Sequence, residues 1–136
     1  MSMQNTKSLF ISHVWTQNQQ YWKRVVAWLD NEPDFQWRNC SCPDPAMLAD
    51  RSSKSLTAEM TRQISSAQAV IILSEMYAAN TSWVDFEISE AKRMNKLIIG
   101  VAPLEQGSIP KKVSESADLM AGGHSTGLVS MVKFMA

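Results

Sequence analysis

Two periods of hydrophobic residues alternate along the chain. Short apolar runs occur at Ser8 to Ser12 (SLFIS), Phe35 to Asn39 (FQWRN), Ala69 to Ser74 (AVIILS) and Leu97 to Ala102 (LIIGVA). Each has the length of a strand. The third and fourth are almost wholly apolar, as expected of strands covered on both faces inside a parallel sheet. Between them the spacing becomes helical. Trp22, Val25, Val26 and Leu29 fall at i, i+3, i+4 and i+7, and Asn31-Glu32-Pro33 stops that helix. A second helix is expected over Leu56 to Ser66, with Met60 and Ile64 on one face. A third is expected from Ser82, spaced from Asp85 as in a capping box, through Ile88 and Ala91 to about Asn95. A fourth follows Pro110, and the last runs from Leu128 to Phe134; a short fifth strand is expected near Asp118 to Ala121.

Strands alternating with helices predict an α/β fold with right-handed crossovers and a parallel sheet. Ligands of such sheets sit beyond the carboxyl ends of the strands, so the residues that follow each strand hold the candidate chemistry. They are Ser12-His13-Val14-Trp15, Asn39-Cys40-Ser41, Ser74-Glu75-Met76-Tyr77 and Pro103-Leu104.

Composition narrows the field. The chain has 136 residues, 45% of them hydrophobic and 19% charged, which fits one folded domain spanning 1–136 and excludes a disordered chain. Thirteen basic residues balance 13 acidic ones, so the electrostatic footprint of a nucleic-acid or anionic-membrane binder is missing. No apolar run approaches a membrane span of about 18 residues, and the N-terminal MSMQNTKSLFIS does not read as a signal peptide. Cys40 and Cys42 are too close in sequence for an ordinary disulfide and have no second pair or nearby histidine for zinc, so a reducing cytoplasm and no metal are expected.

The rim motifs exclude several chemistries. A flavodoxin-type phosphate loop, a receiver's clustered aspartates and a GxGxxG fingerprint are all missing; the first glycine is Gly100. The stretch Ser41 to Ser55 (SCPDPAMLADRSSKS) reads as a long loop, either a lid or a surface excursion. Trp83 and Glu87 stand four apart on the third helix and share a face near the strand ends. Glu87 has no cation at i+3 or i+4, whereas Glu90 has Arg93 at i+3. A carboxylate beside an indole near a ligand-binding rim is a candidate for electrostatic catalysis, and a solvated glutamate is the alternative. His13 is either an acid or base or a hydrogen-bonding structural residue. His124 sits in a Gly-rich turn.

Taken together, Phe10-Ile11-Ser12-His13, Trp37-Arg38-Asn39 with Ser41 and Pro43, Val70-Ile71-Ile72-Leu73 with Met76-Tyr77, Trp83 with Glu87-Ile88 and Ala91-Lys92, and Ile98-Ile99-Gly100-Val101 with Ile109-Pro110 resemble bacterial TIR-like domains. The likeness is greatest to the stand-alone TIR-like proteins of Thoeris anti-phage defence, and it runs from about Leu9 to Val132. It implies a flavodoxin-like three-layer sandwich with a five-stranded parallel sheet in the order 2-1-3-4-5. It also implies an enzyme that cleaves the nicotinamide bond of NAD as substrate, with no further cofactor, and makes a cyclic ADP-ribose-type signal. Glu87 matches the family's catalytic carboxylate. Ser12, His13, Asn39, Ser74, Tyr77 and Trp83 are the groups available to the substrate. The implied partners are an effector reached through the diffusible nucleotide, a phage-derived trigger and a homo-oligomer. Pro43-Asp44-Pro45 replaces the Pro-Gly of animal-type members. Two other readings stand beside this one: a non-catalytic TIR-like signalling module, and a nucleoside deoxyribosyltransferase-like glycosyl enzyme on a similar fold.

Overall fold

A computed structural model describes residues 6–13, 19–41, 53–104 and 107–135. Five strands form one parallel sheet: β1 (Lys7–Ile11), β2 (Trp37–Asn39), β3 (Ala69–Leu73), β4 (Leu97–Val101) and β5 (Leu119–Ala121). Their order is β2-β1-β3-β4-β5, as the resemblance implies. Leu9 pairs with Asn39 on one side and Ala69 on the other, and Leu73 pairs with Val101. Every residue of β3 is buried, which is why its sequence shows no alternation.

Among the described residues six helices accompany the sheet: α1 (Gln19–Asp30), α2 (Ser53–Ser66), α3 (Ser74–Ala79), α4 (Thr81–Arg93), α5 (Lys111–Ser116) and α6 (Ser125–Phe134). The chain moves from β1 outward to β2, then back past β1 to β3 and on to β5. Right-handed crossovers therefore put α1 on one face and α2, α4 and α5 on the other. The observed packing agrees, with α1 against α6 and α2 against α4. The reversal lies between β1 and β3, so the switch-point crevice opens above residues 12 and 13 and above residue 74.

Several boundaries differ from the sequence reading; β2 begins at Trp37 and not Phe35, and α2 at Ser53 and not Leu56. Ser74 opens the short helix α3 instead of closing a strand. The Ser82/Asp85 capping box does not form: α4 begins at Thr81 behind Asn80, which makes no side-chain cap bond, so Ser82 already lies inside the first turn. Helix α6 begins at Ser125, three residues before the expected Leu128. Beyond Arg93 the chain leaves α4 through Asn95, whose φ of 57° lies in the left-handed region that asparagine tolerates. No helix among the described residues is long and apolar enough to cross a membrane.

Candidate active site

The buried face of α4 reads Val84, Glu87, Ile88 and Ala91, an i, i+3, i+4, i+7 stripe in which a carboxyl occupies a core position. Glu87 is completely buried. Among the described residues its Oε2 accepts one hydrogen bond, from the main-chain N–H of His13 at 3.3 Å, and its Oε1 has no partner. Burial pushes the Glu87 carboxyl well above the usual carboxylate range, opposed only by that one N–H. The cause is desolvation. Glu90 is differently placed. It accepts from Arg93 Nε and Nη2 at 2.8 and 2.9 Å and from Thr61 Oγ1 at 2.7 Å, and Arg93 holds its carboxyl below the usual range.

His13, just past β1, is 3% exposed and lies beside Phe10 and Trp22, with ring centroids 5.6 and 6.2 Å apart. Burial lowers its pKa to about 4, so the imidazole is neutral at physiological pH. Its Nε2 lies 3.3 Å from Gln63 Oε1, and Gln63 Nε2 donates to Glu59 Oε2 at 2.9 Å. Glu59 also pairs with Arg62 through Nε at 2.8 Å and through Nη2. Sequence reasoning missed Gln63 and Glu59. Both sit one position before members of the Met60/Ile64 stripe, so they read as the edge of a solvated face until β1 packs against it.

The other rim residues are occupied to differing degrees. Ser12 is fully buried, and its Oγ accepts from the Leu73 N–H at 3.1 Å. Ser74 Oγ donates to the Val101 carbonyl at 2.7 Å, joining the ends of β3 and β4. Asn39 Oδ1 accepts from the Ser41 N–H at 2.9 Å and from the Ser41 hydroxyl, which in turn accepts from Trp22 Nε1 at 2.9 Å. Partial burial, followed by a hydrogen bond to Asp85, raises the pKa of the Tyr77 phenol. Trp83 stacks on Phe86 with centroids 5.9 Å apart. Ser12, His13 and Glu87 are thus brought together at the switch point, while Tyr77 and Trp83 sit on the α3 and α4 side.

Sequence reading also missed an ion pair at this end of the sheet. Arg24 Nη2 meets Glu75 Oε2 at 2.8 Å, the Leu104 N–H donates to the same oxygen at 3.1 Å, and the guanidinium lies over Tyr21 and Trp28. Clefts of about 400 Å³ between α1 and α6, beside Trp28 and Lys133, and of about 520 Å³ by Lys96 and Asp118 at the amino end of β4 lie away from Glu87. Apart from Ser41 and α2's first residues, the loop expected from Ser41 to Ser55, with Cys42 and Pro43-Asp44-Pro45, lies outside the described residues, as do Val14 and Trp15. No group of three or more His, Cys, Asp or Glu able to hold a metal ion occurs among the described residues.

Comparison with known proteins gives the geometry a setting. Residues 10–108, well over half of the chain, match the family model of the TIR-like domain of the Thoeris protein ThsB. Among solved structures the fold is similar to that of a CMP N-glycosidase, BcmB, from Clostridium botulinum, with a TM-score of 0.59, 13% identity, and coverage of 95% of this chain and 100% of that one. At that identity the likeness is one of fold. No curated protein matches the sequence.

Proposed function

The chain belongs to the family of Thoeris ThsB TIR-like domains, and from that membership we propose that it cleaves the N-glycosidic bond of a nucleotide, with NAD as substrate and Glu87 as the catalytic carboxylate. The observation that carries the reading is a fully buried carboxyl at the switch point of a parallel sheet, with one oxygen that no group among the described residues satisfies. Such a group is costly unless something arrives to use it.

The chemistry follows from where charge develops. In NAD the nicotinamide nitrogen is cationic. As the bond from it to the ribose C1′ breaks, the electron pair stays on that nitrogen, nicotinamide leaves neutral, and the ribose takes up the positive charge. A carboxylate within a few ångströms stabilises that charge, and in a water-poor site it does so strongly. Burial alone favours the protonated acid, but an incoming cation reverses the balance and drives the Glu87 proton to solvent. A nitrogen of the adenine or a hydroxyl of the same molecule then attacks C1′ and closes a cyclic ADP-ribose-type product; water attacking there gives open ADP-ribose. The cyclic nucleotide is the diffusible signal to an effector, formed in response to phage infection.

One observation favours a second substrate class. Cytidine monophosphate carries a neutral base, which needs a proton to leave, and a glutamate held protonated by burial supplies one. The fold shared with a CMP N-glycosidase points the same way. The two readings separate by pH. Cleavage of NAD rises with pH as Glu87 ionises; cleavage of CMP falls as it does.

The test incubates purified protein, and separately lysate of phage-infected cells expressing it, with NAD or CMP and follows release of nicotinamide or cytosine, with Glu87→Gln as control. Glu87-dependent nicotinamide release that rises with pH supports the NAD reading. Cytosine release that falls with pH favours the second. Release of neither base in either preparation removes the enzyme and leaves a signalling module.

A further inference from the structure

We infer that Gln63, anchored by Glu59, is a positioning residue: it fixes which nitrogen of His13 carries the proton and so holds the His13 main chain against Glu87. The inference rests on the N-glycosidase reading of Glu87 and deepens it.

One hydrogen-bonded chain runs from α2 through His13 to α4. Arg62 pairs with Glu59 and keeps it ionised, so both its oxygens can only accept. The group of Gln63 that meets Glu59 Oε2 must therefore be its NH2, as the 2.9 Å contact requires; a flipped amide would set oxygen against oxygen. That orientation leaves Gln63 Oε1 for His13 Nε2. A carbonyl oxygen cannot donate, so Nε2 must carry the hydrogen of the neutral ring, and Nδ1 is left as an acceptor. A carboxylate two side chains away, itself buried, thus sets the tautomer of a buried histidine. The same residue presents its main-chain N–H to Glu87 Oε2, the one hydrogen bond that opposes the desolvation of that carboxyl. A ring pinned through Nε2 fixes the position of the residue, and with it that N–H.

The experiment reads the tautomer directly. Long-range 1H–15N correlation spectra of labelled protein distinguish Nε2–H from Nδ1–H imidazole, a His124→Gln variant assigns the His13 signals, and the 13C shift of the Glu87 carboxyl reports its titration. Wild type should show the Nε2–H form alone. Gln63→Met removes the acceptor; Glu59→Gln keeps size and packing but frees the Gln63 amide to flip. Both should give mixed tautomers, move the Glu87 midpoint upward, and lower kcat on the substrate that wild type cleaves on the order of ten- to a hundredfold with little change in KM.

A wild-type Nδ1–H form, or an unchanged Nε2–H form in both variants, overturns the proposal. So does a mixed tautomer that leaves Glu87 and turnover unmoved. These spectra judge the relay even where no nucleotide is cleaved, which would count against the N-glycosidase reading alone.

Discussion

The main-chain N–H of His13 reaches Oε2 of Glu87 at 3.3 Å, joining the end of β1 to the buried face of α4. Slightly longer than the usual N–H···O range, this is one weak hydrogen bond for a carboxyl with no exposure to water. The two residues have opposite pKa directions from one cause, which the contact between them only opposes at Glu87. Burial disfavours charge on both, so Glu87 rises and His13 falls.

The two groups should therefore act on stability in opposite directions, His13 weakening the fold as the pH falls and Glu87 weakening it as the pH rises. With a folded pKa of about 4 against 6.5 unfolded, His13 takes up a proton on unfolding throughout that interval, so the stability it contributes is full above pH 6.5 and declines as the pH falls toward 4. The His13 share of the change between pH 7.5 and 5 should be about 2 kcal/mol, read as the difference between wild type and His13→Gln in urea unfolding at the two pH values. His13→Gln should keep only the opposing Glu87 trend. An equal loss in the variant would assign the effect to other groups.

Ser12 and Ser74 should behave as structural residues whatever else they do. Ser12→Ala leaves the buried Leu73 N–H without an acceptor, at a cost of about 1–3 kcal/mol. Ser74→Ala leaves the Val101 carbonyl short of a bond. Tyr77→Ala cuts a half-buried side chain and should cost less than Ser12→Ala. Thermal melting of the three variants checks the order, and a loss of turnover in Ser12→Ala counts toward the site only after correction for the folded fraction.

Two glycines are close-packed for different reasons. A Cβ on Gly100 would meet Met120 Sδ at 2.5 Å, the movable end of a side chain, whereas one on Gly123 would meet the Pro103 carbonyl oxygen at 2.2 Å. Backbone cannot step aside as a thioether can. Gly123→Ala should therefore lower the melting temperature more than Gly100→Ala, and shift the loops after β4 and β5. Equal melting of the two would show that the main chain near Pro103 yields.

How far this was legible in the sequence depends on the length of each signal. The β3 and β4 runs and the α1 stripe are long enough for periodicity to show, and their alternation determined the parallel fold. Helix α3 is six residues, SEMYAA, less than two turns, and no period can be read from it. Glu87 was recognisable as a candidate from its spacing to Trp83. Its burial was foreshadowed only by its place in the Val84, Ile88, Ala91 stripe. Gln63, Glu59 and the Arg24 to Glu75 pair were not legible, because each depends on contacts between elements distant in sequence.

Glu87→Gln against Glu90→Gln is the comparison that weighs most. The residues differ by one helical turn and share chemistry and helix propensity. The surroundings differ: Glu87 is buried with an unpartnered oxygen, and Glu90 is held by Arg93 and Thr61. Gln keeps the size of Glu and can still bond a ribose hydroxyl, but it neither offsets a developing cation nor donates an acid proton. Glu87→Gln should lower turnover on the order of a hundredfold or more. Glu90→Gln should change it little and cost under about 1 kcal/mol of stability, as partly exposed ion pairs do. The stability of Glu87→Gln carries its own signature. A carboxyl whose folded pKa is raised binds its proton more tightly in the native state, so the stability that Glu87 contributes falls as the pH climbs from 4.5 toward that pKa. The amide has no such dependence. Glu87→Gln should therefore match wild type near pH 4.5 and melt higher at pH 8, even as it loses activity. A variant that melts lower at pH 8 would mean that the Glu87 carboxylate is stabilised in the folded empty site, and the raised pKa on which the pH contrast between NAD and CMP depends would fall with it.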